Sequence, residues 1–376
     1  MEILRDQREK KQVTLIQMAA HFKLGKKGRI TVSEWERGFI KPKPDRRSNF
    51  ISYLGQVLEL NEQEFHNIWQ ILSKAWGWDQ LNHSEWADSF PNASPVHPLA
   101  DFIVGPPVIT PCKFFGRTAE LTYIFDLWQN SPLQHIALIG PKRSGKTSLL
   151  RYLQKITQTS SNELRSGQKS NWLPQAEFYR WVFVDFQNPL LQKREGLLRH
   201  VLTTLALPIP TPCDLNNFLN IMSDHLKQPT LILLDEIAAG LNAPELDETF
   251  WGGLRSLANS ETGHFLGFVV AGDKSPVLLS HDYGKPSPFF NIFGHSIRLG
   301  PLTEPEARQL IASSPKPFST LDIEWILEKS QRWPCLVQLL SGIRLRALKN
   351  NQTGKAWQEE GERAIQQTKY HYLLEQ

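Results

Sequence analysis

Cysteine is scarce in this chain of 376 residues, which contains three, Cys112, Cys213 and Cys335. They lie far apart and match neither a metal-ligand spacing nor a disulfide framework, which favours a reducing, cytoplasmic location. Long apolar runs are also missing, since stretches such as 230–234 and 265–271 are far shorter than the roughly 18–20 residues that span a bilayer. The charged start MEILRDQREKK lacks the apolar core of a signal peptide, so neither secretion nor a membrane partner is expected.

The composition is that of a globular protein, with 40% hydrophobic and 21% charged residues and with 25 prolines and 23 glycines spread along the chain. Disorder throughout and a fibrous rod are therefore not expected. The net charge is only +4, but residues 1–50 alone contain 13 Lys or Arg and 6 Asp or Glu. This basic block favours contact with a polyanion, although a solvated surface that happens to be basic has the same pattern.

The first 113 residues contain two kinds of segment. Residues 1–78 have apolar side chains at helical spacing and no strand pattern, which predicts a small all-α domain. Residues 79–113 contain six prolines, which argue against a helix or a central strand. They predict a linker that partly follows a domain surface.

The pattern changes from residue 114 onward. Strand-like runs occur at 135–140, 179–186, 230–235, 265–271 and 296–299, and helical stretches separate them. This alternation predicts an α/β domain with a parallel sheet over 114–300, followed by helices over 301–376. The polar segment 157–174 is predicted to be a surface loop.

The strongest chemical signal is the sequence Gly140-Pro-Lys-Arg-Ser-Gly-Lys-Thr147, which matches GxxxxGK[ST]. It follows a strand-like run and precedes a helical one, as a phosphate-binding loop requires. Its glycines let backbone N–H groups point at phosphate oxygens, and the following helix adds its positive end. Lys146 is expected to reach the β- and γ-phosphates, and the alternative is a glycine-rich turn without a ligand. The candidate cofactor-binding residues of the loop are Gly140, Pro141, Lys142, Arg143, Ser144, Gly145, Lys146, Thr147 and Ser148.

A second chemical signal is the apolar run Leu231–Leu234, which ends in Asp235 and Glu236. Strand ends in such sheets face the ligand crevice, so Asp235 is expected to hold Mg²⁺ together with Thr147. Glu236 is expected to orient or deprotonate the attacking water, and with Lys146 it is a candidate catalytic residue. Acids that decorate a helix start are the alternative. An acid beside the metal-binding aspartate indicates NTP hydrolysis. It also predicts a strand that lies between the strand before the phosphate loop and the strand that ends in Asp235. The lack of a guanine-reading motif favours ATP.

Residues 104–345 resemble the archaeal-type/STAND branch of AAA+-related ATPases. The resemblance rests on Val104-Gly-Pro-Pro-Val108, Phe114-Phe-Gly-Arg117, the phosphate loop, the segment 287–307 and Trp333-Pro-Cys-Leu336. It implies a P-loop NTPase domain with a C-terminal helical lid, in which Arg117 lies by the nucleotide and Pro334 packs against the adenine. The usual Gly-x-Pro of the family is here Arg332-Trp333-Pro334.

The same resemblance implies a polar sensor residue and an arginine that acts on a neighbouring subunit. Asp273 and Ser275 are the candidates for the sensor. Arg255 is a candidate for the arginine, with a surface salt bridge as the alternative, and Arg298 is a further one.

Residues 3–60 resemble the Cro/repressor-type (XRE) helix-turn-helix. The matching segments are Thr14–Ala20, Leu24-Gly25 and Val32-Ser-Glu-Trp-Glu-Arg-Gly38. The resemblance implies a recognition helix that enters the major groove of double-stranded DNA with its first residues, whereas Trp35 belongs to the core and Gln17 caps onto phosphate or backbone. The same helical fold used as a protein-contact module is the alternative. The candidate DNA-binding residues are Lys26, Lys27, Arg29, Thr31, Ser33, Glu34 and Arg37, with Lys41 and Lys43 as further phosphate contacts.

Together these patterns predict an ATP-dependent DNA-binding regulator, a slow ATPase that controls transcription and assembles into a homo-oligomer when ATP is bound. One alternative is an AAA+-type ATPase that assembles on DNA and recruits or regulates a partner enzyme. Another is a nucleotide-bound adaptor that does not hydrolyse ATP and contacts a partner protein.

Overall fold

The computed structural model describes residues 2–25, 27–58, 60, 62–78, 102–160, 163–165, 168–352, 354–367 and 371–374. They form two compact units, one built mainly from the residues before 79 and the other mainly from the residues after 101. Each unit has its own hydrophobic core. The domain boundaries predicted at residues 78, 113 and 300 stay predictions.

The first unit is helical in its described residues. It contains α1 (Glu2–Lys10), α2 (Leu15–His21), α3 (Gly28–Arg37), α4 (Arg47–Ser52) with a π-helical turn (Tyr53–Val57), and α5 (Glu62–Trp76). Helix α2 begins with a capping box, in which the backbone N–H of Thr14 donates to Gln17 Oε1 at 2.8 Å and the backbone N–H of Gln17 donates to Thr14 Oγ1 at 3.2 Å. The Gln17 side chain therefore caps backbone, one of its two predicted partners.

A buried ion pair joins α1 to α3 in this unit. Arg8 Nε donates to Glu36 Oε1 at 2.6 Å, and both side chains are buried. Trp35 is also buried, where its ring contacts Phe22 and Phe50, so its predicted core position is confirmed. Separation of α1 from α3 would leave both buried charges uncompensated. The pair therefore holds the two helices together.

The first α-helix of the second unit is α6 (Thr118–Trp128). Strands and helices alternate after it. In chain order these are β1 (Ile136–Ile139), α7 (Lys146–Ile156), β2 (Arg180–Asp185), α8 (Arg194–Thr204), α9 (Leu215–His225), β3 (Thr230–Asp235), α10 (Ile237–Asn242), α11 (Glu248–Asn259), β4 (Leu266–Gly272), α12 (Pro276–Asp282) and β5 (His295–Arg298). All five strands lie within a residue or two of the predicted runs.

The five strands form one parallel sheet in the order β2-β3-β4-β1-β5. Strand β3 is buried along its whole length: Ile232 and Leu234 join one core cluster, whereas Leu231 and Leu233 point to the opposite face. Burial on both faces is typical of a sheet that helices cover on each side. Strand β4 lies between β1 and β3, which confirms the predicted intervening strand.

Four helices follow the sheet in the described part of the chain. They are α13 (Glu304–Ala312), α14 (Thr320–Ser330), α15 (Pro334–Lys349) and α16 (Ala356–Gln367), and a short 3₁₀ turn (His371–Leu373) comes after them. Leu310, Ile326, Leu336 and Leu340 belong to their shared core. The predicted fold class, α/β with a parallel sheet and flanking helical regions, is confirmed.

Segment 157–174 differs from its prediction as a surface loop. Its described residues form neither an α-helix nor a strand, but Trp172 and Leu173 are buried. The Trp172 ring stacks on Phe125 of α6, with centroids 5.0 Å apart. The segment therefore covers part of the core. No helix among the described residues has both the length and the apolar character that a membrane span requires.

Candidate functional site

The phosphate loop connects β1 to α7, where the chain leaves the carboxyl edge of the sheet. The Gly140 N–H donates to Gly272 O of β4 at 3.1 Å, and Gly145 precedes α7 with φ 98°. A Cβ at position 140 would lie 2.7 Å from Ser144 Oγ and 2.9 Å from Leu299 O, so only glycine fits there. The curl of the loop therefore depends on these two glycines.

Lys146, the first residue of α7, lies inside the curl. Its Nζ donates to Gly140 O at 2.7 Å and to Pro141 O at 3.0 Å, and the residue is only 8% exposed. Burial lowers the pKa of Lys146, and the negative charges of Glu236 and Asp235 partly oppose that shift. The ammonium group thus lies between loop carbonyls and the two acids.

Ser144 carries an unsatisfied polar atom. The residue is fully buried, and its hydroxyl has no hydrogen-bond partner among the described residues. An unpaired buried hydroxyl costs about 1–3 kcal/mol. The loop therefore contains a polar group whose hydrogen-bonding capacity the fold leaves unused.

The two predicted acids lie at the end of β3, where Asp235 is the last residue of the strand and Glu236 follows it. Burial raises the pKa of Asp235 to about 6, the charges of Glu236 and Asp185 add to that rise, and a hydrogen bond from the Thr147 side chain lowers it. The Glu236 N–H donates to Asp235 Oδ1 at 3.1 Å, and Glu236 itself has φ 54°. Thr147 of α7 and Asp235 of β3 thus face each other beside Lys146.

Two further charged residues lie near Asp235, and the sequence interpretation missed both. Asp185 ends β2 and pairs in register with Asp235. Arg151 of α7 lies with its guanidinium 3.3 Å from the ring centroid of Phe183; burial lowers its pKa, and the charges of Asp235 and Asp185 oppose that shift. The signal that could have revealed Asp185 is the apolar run 181–184, which ends in an acid as β3 does.

Arg117 connects the phosphate loop to the chain beyond β5. It is buried in a left-handed conformation (φ 62°), and its Nη2 donates to Ser144 O at 3.1 Å and to Gly300 O at 2.5 Å. Its Nη1 donates to Glu120 Oε1 at 3.1 Å. The structure therefore places Arg117 directly against the loop.

Pro334 is the first residue of α15 and is half-buried. The preceding Gln331 and Arg332 have φ 44° and 63°. Arg332 thus takes the left-handed conformation that glycine adopts without strain. The turn that leads into α15 therefore contains two consecutive left-handed residues, Gln331 and Arg332.

Among the candidates for sensing and for action on a neighbouring subunit, Asp273 lies near enough to Lys146 for its charge to oppose the lowering of the Lys146 pKa. The Ser275 hydroxyl caps α12 by accepting from Leu278 N at 3.4 Å, whereas Asp273 is exposed. Arg255 Nη1 donates to Pro288 O at 2.6 Å instead of forming the alternative salt bridge, and Arg298 is exposed on β5. Their proposed roles stay predictions.

The candidate DNA-binding residues belong to the first unit, and Lys26 lies outside the described residues. Lys27, Arg29 and Arg37 are exposed, whereas Thr31, Ser33 and Glu34 are half-buried. The Thr31 hydroxyl donates to Lys27 O at 3.3 Å, so it is bonded within α3. Ile30, which was not predicted, is 59% exposed on the face of α3 that also carries Ser33 and Arg37.

Residues 130–275 match the sequence model of a family described as AAA domain. No curated protein sequence matches the chain. Among solved structures, the chain is similar to the ORC2 protein of Aeropyrum pernix in its ADPNP–ADP complexes, with a TM-score of 0.51, 12% identity and 73% of each chain covered.

Two further archaeal structures show the same likeness at lower scores. The Walker-type ATPase PABY2304 of Pyrococcus abyssi has a TM-score of 0.48 and 16% identity, with 69% of this chain and 76% of that chain covered. Cdc6p of Pyrobaculum aerophilum has a TM-score of 0.44 and 15% identity, with 69% and 67% covered. The second unit thus has the P-loop NTPase fold, and residues 130–275 within it match the AAA domain.

Proposed function

We propose that this chain is an ATP-switched DNA-binding regulator, in which the α/β unit binds Mg·ATP and the helical unit binds double-stranded DNA. The observation that carries the proposal is the cluster of Lys146, Thr147 and Asp235 beside the phosphate loop, whose backbone bends at two glycines. A cation, a hydroxyl and a carboxylate in that order fit a triphosphate and its metal ion.

The loop fits a polyphosphate in three respects. The N–H groups at the start of α7 and its positive end favour an anion. Lys146 donates to Gly140 O and Pro141 O, and phosphate oxygens are stronger acceptors for the same ammonium group. The unpaired Ser144 hydroxyl provides a further donor within the loop. Lys142, Arg143, Gly145 and Ser148 complete the proposed cradle, and Arg117 and Pro334 border it.

Thr147 and Asp235 are the proposed holders of Mg²⁺. The described residues contain no cluster of three or more His, Cys, Asp or Glu that could bind a metal alone. Magnesium in nucleotide sites characteristically uses one or two protein ligands together with phosphate oxygens and water. Thr147 and Asp235 match that requirement, because the Thr147 side chain lies near enough to the Asp235 carboxylate to lower its pKa.

Glu236 is the proposed base for slow ATP hydrolysis. Bound Mg·ATP would supply the phosphoryl group that reacts. Its Mg²⁺ would supply positive charge that offsets the negative charge of the phosphates. The left-handed backbone of Glu236 turns the chain directly after the buried Asp235, so the two carboxylates serve different tasks. Asp235 faces Thr147, whereas the half-buried Glu236 is free of that pair and can accept a proton from water.

The exposed cations of α3 support binding to DNA. Lys27 and Arg29 lie at its start and Arg37 at its end, while Val32 and Trp35 fill the core behind it. A helix presented in this way fits the major groove, with cations against the flanking phosphates. The output proposed for this unit is control of transcription.

One experiment tests both halves of the proposal. Binding to duplex DNA, selected from a random pool, is measured with ATP, with ADP and without nucleotide. We expect the affinity to differ at least about 5-fold between the ATP and ADP forms, as for an ordinary coupling energy. Equal affinity in all three states would contradict the switch, and no DNA binding in any state would contradict the role of the helical unit.

Four exposed apolar side chains favour a second candidate function, in which the helical unit contacts a protein. They are Ile16, Ile30, Phe39 and Ile40. Salt separates the two functions. Phosphate binding through about four cations weakens roughly 100-fold between 50 and 200 mM salt. An apolar protein contact changes little over that range. If the helical unit binds DNA, Arg29→Ala should reduce the slope of log affinity against log salt concentration by about one.

A further inference from the structure

Residues 102–110, which we call the strap, connect α15 to the phosphate loop. The Ile103 N–H donates to Gln338 Oε1 of α15 at 3.0 Å, and the Val108 N–H donates to Ser148 Oγ of α7 at 3.0 Å. Between them, Gly105 O accepts from Arg143 Nη1 of the loop. The strap is thus bonded to both sides of the candidate nucleotide site.

Arg143 makes this contact from an uncommon backbone conformation. Its φ of 69° lies in the left-handed region, which costs a non-glycine residue about 1–2 kcal/mol. The phosphate-loop pattern accepts any residue at this position. An arginine there directs a charged donor out of the loop and onto the strap. Its charge also reaches α15, where it partly opposes the rise that burial causes in the pKa of Cys335.

The neighbouring residue is held by another part of the chain. Tyr372 Oη donates to Lys142 O at 2.6 Å. The turn that carries Tyr372 is anchored by Leu373, which is 1% exposed in the core of the helices after the sheet. Two adjacent loop residues, Lys142 and Arg143, are therefore tied to two segments that lie before and after the parallel sheet in sequence.

We propose that Arg143 is a positioning residue that holds the strap closed against the phosphate loop and thereby slows nucleotide release. The inference rests on the proposed nucleotide function of the loop. Without the Arg143 bond, the described contacts of the strap lie at its two ends, where Phe102 contacts Phe318 and where Ile103 and Val108 donate their hydrogen bonds. Its exposed middle, residues 104–107, is then free to lift from the loop. Tyr372 restrains the same part of the loop through Lys142, so the two contacts act together.

Dissociation of a fluorescent ADP analogue, measured by stopped flow, tests the inference. Arg143→Ala should accelerate dissociation about 10-fold, the effect of one lost charge-assisted hydrogen bond. Arg143→Lys keeps a charged donor and should restore part of the slow release. Tyr372→Phe should accelerate release by a smaller factor. Arg346→Ala and Tyr123→Phe are the matched controls, because both residues are exposed and bonded elsewhere, to Glu360 and His295.

A second measurement uses the protein without nucleotide. Amide hydrogen exchange at Ile103 and Val108 should be at least about 10-fold faster in Arg143→Ala than in the wild type, with an unchanged unfolding temperature. Unchanged exchange together with unchanged ADP release would overturn the inference while leaving nucleotide binding intact. If the wild type bound no ADP analogue, the proposed function would fail instead, and hydrogen exchange alone would still decide whether Arg143 holds the strap.

Discussion

Glu236 combines an ionisable side chain with a left-handed backbone, which costs about 1–3 kcal/mol. Arg117, Arg143, Gln331 and Arg332 share this conformation and lie in or beside the candidate site. Strain of this kind persists only where the surrounding structure enforces it. At the scale of single residues, the site is therefore a place where the chain departs from its preferred geometry.

Replacement of Glu236 by Gln tests the proposed base. The amide has the same shape but cannot accept the proton from water, so ATP should stay bound while turnover falls about 100-fold or more. ATP affinity by calorimetry and phosphate release under saturating ATP are the measurements. Glu248→Gln, at an exposed position of α11, is the control. Turnover equal to that of the wild type would remove Glu236 as the base.

The site residues that the sequence predicted are those whose placement depends on local order. Lys146 and Thr147 follow from the spacing of the loop, and Asp235 and Glu236 from the end of an apolar strand. Asp185 was missed because its position beside Asp235 depends on the pairing of β2 with β3. Ile30 was missed because its exposure depends on which face of α3 packs inward.

At the scale of elements, β1 carries the phosphate loop and is held by β4 on one side and β5 on the other. His135, just before β1, fixes the register on the β4 side: its Nδ1 accepts from Phe268 N at 3.0 Å. Burial lowers the pKa of His135 to about 4, so this contact requires the neutral ring.

This contact predicts a pH dependence of stability. The unfolded chain, with a histidine pKa near 6.5, binds the proton more readily than the folded protein between about pH 4 and 6.5. The stabilisation is therefore complete above about pH 6.5 and is lost as the pH falls towards 4, by about 3 kcal/mol. Denaturant unfolding of the wild type and His135→Asn over this range measures the difference.

The control for that experiment is the same substitution at the exposed His281. We expect the difference in unfolding free energy between the wild type and His135→Asn to change across the range. The wild type loses stability as the pH falls, whereas asparagine does not titrate. Curves that stay parallel from pH 7 to 4 would contradict the neutral, bonded state of His135.

Periodicity predicted the strands and most helices, because apolar alternation and helical spacing are local properties. It did not predict the three hydrogen bonds of the strap, which reach residues 38 to 235 positions away in sequence, although the prolines of 79–113 predicted a linker that partly follows a domain surface. Nor did it predict that Trp172 is buried within a polar segment. Both features depend on tertiary contacts that leave no repeating pattern in the sequence.

At the scale of the whole molecule, a basic helical unit and a P-loop NTPase unit share one chain. The strap follows the 79–101 segment in sequence and contacts the phosphate loop, so a change at the loop can reach the chain that leads to the helical unit. In the proposed switch, the strap and the 79–101 segment therefore connect the phosphate loop to the helical unit through the chain itself. The ATP and ADP forms would differ in the contacts of the strap.

The most direct test of the central claim is thermal unfolding with and without Mg·ATP. A ligand present at about 1,000 times its Kd stabilises the folded state by about 4 kcal/mol, which raises the unfolding temperature by several degrees. We expect this rise in the wild type and in Lys155→Ala, an exposed position in the last turn of α7, and its loss in Lys146→Ala. An unfolding temperature that ATP leaves unchanged in the wild type, or raises equally in Lys146→Ala, would contradict the claim that this loop holds a nucleotide.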